Sequence, residues 1–152
     1  MLPDDVFRDR LEKTLIEIEA MVPNIRDCAA VDVTASAHYW RLVVQPYLAE
    51  ACPFELLINS NQKFSLKLAD ETFENLPVER FELFPHLVRA IEAGHVEKIS
   101  KLDTMTDVLV AVAMRVELKP GWDWLGERRI TTLPSPAEWR THRYLSYRRR
   151  RP

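Results

Sequence analysis

The chain has 152 residues, 47% of them hydrophobic, and a formal net charge of −2, which suits one domain with a full core and no covalent staples. Its three glycines, Gly94, Gly121 and Gly126, are too few for a loop that brings main-chain N–H groups against phosphate, which excludes a P-loop and a dinucleotide fingerprint. Cys28 and Cys52 have no CxxC and no histidine ligand spacing, which sets aside a disulfide framework and structural zinc.

In chain order, Val6, Phe7, Leu11, Leu15, Ile18 and Val22 recur at helical spacing, with Asp4 as the cap and Pro23 as the stop. From Ala30 the period changes to two. Val31, Val33 and Ala35 alternate with Asp32 and Thr34, then Trp40, Leu42 and Val44 alternate with Arg41, Val43 and Gln45 as far as Pro46. Phe54, Leu56 and Ile58, the polar turn Asn59-Ser60-Asn61-Gln62, and Phe64, Leu66 and Leu68 predict a β-hairpin with one buried and one wet face.

Helical spacing returns in Phe81, Phe84, Leu87, Val88 and Ile91. A short turn of helix is expected from about Val78, then a longer helix with Pro85 in its first turn and Gly94 as its C-terminal cap. Val96 to Leu102 has weak strand spacing and turns at Asp103-Thr104-Met105-Thr106. Val108, Val110, Val112, Met114, Val116 and Leu118 form the strongest strand, and apolar Ala111 and Ala113 predict that both its faces are partly covered. Pro120-Gly121 marks a turn into a further strand through Trp122, Trp124 and Ile130. Ser135-Pro136-Ala137-Glu138 has the form of a capping box opening a C-terminal helix, after which Arg148 to Arg151 close the chain.

Grouped strands between helices predict a two-layer α+β sandwich: a mainly antiparallel sheet of five to six strands, helices on one face, and a C-terminal helical arm. The expected units are an α+β domain over 1–133 and a basic helix and arm over 134–152. The element order is similar to that of small secretion chaperones, whose acidic bodies bind extended segments of other proteins; the arginine tail departs from that pattern, and no motif identifies a family. The acidic start MLPDDVFRDR is unlike a secretory signal, and no apolar run approaches the roughly 20 residues of a membrane span, so a cytoplasmic location is expected.

His38, His86, His95 and His142 include no pair at metal-ligand spacing, so no metal or cofactor is expected. Cys28 and Cys52 sit in ordinary core settings, and Asp70, Glu71, Glu74, Glu79 and Glu82 sit where acids cap helices and meet solvent; no catalytic group stands out. Trp122 and Trp124 point the same way in an extended segment, either anchoring a partner or closing one end of the core. Charge singles out the tail: residues 136–152 hold six Arg against one Glu, while residues 1–135 hold 15 Lys and Arg against 22 Asp and Glu. Tyr144, Tyr147, Arg148, Arg149, Arg150 and Arg151 combine rings that stack with guanidinium groups that grip phosphate, the composition of a nucleic-acid arm. A net +5 tail on a −7 body is equally suited to fold back on its own domain. The expectation is a non-catalytic domain that binds another protein or self-associates through a sheet face or the Trp122/Trp124 platform. Nucleic-acid binding through the arm, and a small enzyme or small-molecule pocket between sheet and helices, are the alternatives.

Overall fold

The computed structural model describes residues 1–131 and 137–148. Helix α1 (Asp4–Arg26) leads into a five-stranded antiparallel meander, β1 (Ala29–Ala35), β2 (Tyr39–Pro46), β3 (Phe54–Asn59), β4 (Lys63–Leu68) and β5 (Glu71–Pro77). Helix α2 (Leu83–Glu92) follows. A second, four-stranded antiparallel sheet is built from β6 (Val96–Asp103), β7 (Leu109–Lys119), β8 (Trp122–Arg129) and β9 (Ala137–Arg143), in the order β8-β7-β6-β9. No helix among the described residues is long and apolar enough to cross a membrane.

The period-two pattern determines the inner face of the first sheet. Trp40, Leu42, Val44, Phe54, Leu56 and Ile58 all turn inward and are buried with residues of both helices in one apolar cluster. In α1, Ile18, Val22 and Ile25 are spaced to bury on one face, and this burial carries the helix past Pro23 to Arg26, where the sequence predicted a stop. Asp4 is not its cap: Pro3 holds that position, and Asp4 and Asp5 lie in the first turn, where their charge complements the helix dipole. Gln62 fixes the start of the helix by donating from Nε2 to the Leu2 carbonyl and accepting the Leu2 N–H on Oε1. Pro85 lies in the first turn of α2, and Gly94 (φ 84°) follows its C-cap; Gly94 N–H to Ile91 and His95 N–H to Ala90 complete a Schellman motif.

Four further sequence expectations need correction. The strands form two separate sheets, five plus four, instead of one sheet of five to six strands with helices on one face. The division falls where β5 ends at Pro77 and α2 carries the chain away, so β6 finds its partners in β7 and β9. Second, the described part of the C-terminus is strand β9 and not a helical arm. Trp139, Thr141 and Arg143 share one of its faces in register with Lys101, Ile99 and Glu97, and pairing along β6 outweighs a capping pattern whose Ser135 and Pro136 lie outside the described residues. Third, residues 71–77 form β5, and Glu71 is buried (4% exposed) instead of solvated. Arg128 from β8 grips that carboxylate with two hydrogen bonds of 2.9 Å, which makes burial of the charge tolerable. Fourth, no helical turn begins at Val78; its N–H bonds the Gln62 carbonyl, extending the β5 side of the sheet.

Side chains join the two sheets. The Phe73 ring of β5 meets Trp124 of β8 edge to face at 5.3 Å, and Lys98 of β6 bonds Asp70 at 3.1 Å. α2 packs between them, with Phe84 edge-on to Phe64 of β4.

Candidate functional site

Each sheet ends in two strands with an outer side that no other strand pairs among the described residues: β1 and β5 in the first, β8 and β9 in the second. Three of the four carry devices that keep an edge from pairing. β5 has an irregular register with β4 between Phe64 and Leu66, holds Asn75 at φ 55°, and ends on Pro77. β8 shifts register against β7 between Glu117 and Lys119 and ends in Glu127, Arg128 and Arg129. β9 presents exposed Arg140 and Arg143. β1, AAVDVTA, has no proline, lysine or arginine, and its register with β2 is unbroken from Ala29 to Ala35.

The hydrogen bonds at its two ends show which groups face outward. The Cys28 carbonyl accepts from Tyr47 N–H, and Ser36 N–H donates to the Tyr39 carbonyl. Antiparallel pairing alternates, so Ala30, Asp32 and Thr34 bond across to β2. Ala29, Val31, Val33 and Ala35 therefore turn their N–H and C=O groups to the open edge. The same residues share the inner side of the sheet, where Val31 and Val33 are half-buried against the core. Asp32 and Thr34 lie on the wet face beside Val43 and Arg41.

A groove of about 970 Å³ opens on the inner side next to the last residue of β1. Leu11, Leu15 and Ile16 of α1 form one wall, and Ala35, Tyr39 and Trp40 of the β1–β2 hairpin face them. Ile16 is 62% exposed, a large aliphatic side chain left in water on a helix that otherwise buries one face. The Trp40 indole N–H donates to Glu19 at 3.2 Å, which fixes the floor of the groove to α1. Asp4, Glu12 and Glu19 outnumber Arg8 along the α1 wall.

The residues singled out from sequence fall in other places. Trp122 and Trp124 are half-buried at the join between the sheets and pack on the core. Arg80 lies over the Trp122 ring at 4.1 Å, His86 meets it edge-on at 5.3 Å, and Gly126 leaves the space that Trp124 and Phe73 fill. A cleft of about 400 Å³ runs beside the two indoles. Tyr147 and Arg148 come together at the α1 and α2 ends, whereas Tyr144 stays beside β6, its N–H on the Val96 carbonyl and its ring edge-on to His142. Tyr147 is buried (3% exposed), its hydroxyl donates to the Cys52 carbonyl and its N–H to Glu92. Arg148 pairs with Glu92 at 3.2 Å and donates to the Asn24 carbonyl at the end of α1. Leu145 forms a parallel bridge with Ala51, and this strand-like segment crosses directly over Gly94. The tail thus folds back on its own body as far as Arg148; Arg149, Arg150 and Arg151 lie outside the described residues.

Burial pushes the Cys52 thiol up to about 12 and raises Cys28 as well, so neither is held as a thiolate nucleophile. Burial likewise pushes the Tyr144 phenol up to about 12 and raises that of Tyr147. The hydrogen bond from Lys98 holds Asp70 below the usual carboxylate range. Among the described residues no three His, Cys, Asp or Glu side chains are placed to hold a metal ion. Sequence reasoning missed the β1 edge as a site. The available signal was its lack of proline and basic residues, in contrast to every other edge.

No protein-family model matches the chain, and comparisons with curated proteins and with solved structures find no match.

Proposed function

We propose that the chain is a non-catalytic binding module that takes an extended segment of a protein as an added strand on β1. The observation that carries this reading is the unguarded edge, on which Val31, Val33 and Ala35 present main-chain donors and acceptors without a partner strand among the described residues. An added strand directs alternate side chains to the inner side of the sheet, beside half-buried Val31 and Val33. The raised thiols and the ion-paired carboxylates support binding over catalysis.

A peptide of the β1 sequence with solubilising ends tests this. Titrated into the labelled protein, it is expected to shift the amide resonances of Val31, Val33 and Ala35 and leave those of β9 in place. The same peptide N-methylated at alternate residues is expected to lose binding, because the contact is through the main chain. Equal shifts at β9, or equal binding of the methylated peptide, would overturn the reading.

A further inference from the structure

We infer that the strand β1 accepts is β1 of a second copy of this chain, paired antiparallel about a two-fold axis through Val33. This rests on the reading of β1 as an open edge and adds the partner and the register. The argument is one of self-complementarity. A two-fold axis perpendicular to the sheet keeps both inner faces on the same side, so opposed residues have the same parity in sequence. Centred on Val33, it sets Val33 against Val33 and Val31 against Ala35, three residues whose outward N–H and C=O groups exchange hydrogen bonds with their opposites. It also sets Asp32 of each copy against Thr34 of the other on the wet face, in the closer, non-hydrogen-bonded kind of pair, where a hydroxyl donates to a carboxylate.

The neighbouring registers are worse. Centred on Asp32, the axis places Asp32 directly against Asp32, like charges at the closest cross-strand spacing. Centred on Val31, it leaves Asp32 facing Ala30 and Ala35 unpaired. Centred on Thr34, it pairs only Val33 to Ala35 of the strand, so the register centred on Val33 is favoured for self-pairing. Two short edges alone bury less than the roughly 1,200 Å² of a stable interface, so the assembly is a weak, concentration-dependent dimer.

Charge substitutions at Thr34 test partner and register together, because its side chain points away from the core. Thr34→Asp sets two carboxylate pairs across the axis, and sedimentation equilibrium is expected to show a dissociation constant raised by roughly tenfold. Thr34→Lys sets a lysine against Asp32 on each side of the axis and is expected to lower the constant by a similar factor, even though the introduced ammonium faces Arg41 within its own chain. Circular dichroism and thermal melting of each variant confirm that the monomer is folded. Opposite shifts for the two variants support the proposal. A wild-type chain that stays monomeric at millimolar concentration, or two variants that shift together, overturns it. The β1 peptide separates the two levels: if it binds a chain that never dimerises, the open-edge reading stands and the second-copy partner falls; if it fails as well, both fall.

Discussion

In the first sheet, the inner side chains of β2, β3 and β4 are buried without interruption, Leu42, Leu56 and Leu66 among them. In the second sheet only β7 is so covered, β6 is half-exposed along most of its length and β9 is exposed almost throughout. The first sheet is held by apolar burial against α1 and α2. The second joins that core through β7, whose Met114 and Val116 are buried in the same cluster, and otherwise depends on strand pairing, on the Arg128–Glu71 and Lys98–Asp70 contacts to the first, and on a C-terminal segment that returns over Gly94. The difference extends to the edges: the weakly buried sheet closes its sides with several charges, and the strongly buried sheet leaves β1 with Asp32 as its one charge and with no proline or bulge. An edge that costs nothing to the core is free to serve binding.

The largest expected effect separates the two sheets directly. Leu56→Ala is expected to cost about 3–4 kcal/mol of stability through loss of burial and the cavity left behind, whereas Ile99→Ala on β6 costs under about 1 kcal/mol. Urea unfolding of the two variants reads both, and equal costs would break the comparison.

Gly94→Ala comes next. Its backbone has φ 84°, and an added Cβ would stand 2.5 Å from the Ser146 nitrogen, so the substitution displaces the returning segment at about 2 kcal/mol. Tyr147 then leaves the Cys52 carbonyl, and Cys52 is expected to react with a thiol reagent in the folded variant while remaining inert in the wild type. Inert Cys52 in Gly94→Ala would show that the segment is anchored elsewhere.

A smaller effect follows from pH. The folded-state pKa of Cys52 is raised to about 12 by burial, above the roughly 8.5 of an unfolded thiol. Its contribution is therefore complete below the unfolded value and is lost as pH rises towards the folded one. The melting temperature is expected to fall above about pH 8.5, and to fall less steeply in Cys52→Ala.

Much of this contrast was legible in the residues. The alternation in β2, β3, β4 and β7 and the spacing around Gly94 reflect burial, which residue type reports locally. What was not legible depends on neighbours far along the chain. Glu71 looks like a solvated acid until Arg128, distant in sequence, folds over it. Ala137 to Arg143 has too little apolar alternation to declare a strand, and it becomes one because β6 offers an edge. The division into two sheets is a choice of pairing partners, and no single segment encodes it. The site was half legible: AAVDVTA reads as a strand, but being an edge is a property of which strand is missing beside it.

Amide hydrogen exchange along β1, followed at low and at high protein concentration, tests the central claim most directly. At low concentration Ala30, Asp32 and Thr34, bonded to β2, are expected to exchange slowly and Val31, Val33 and Ala35 fast; the fast set is expected to slow as concentration rises. Uniform protection along the strand at low concentration would contradict an open edge.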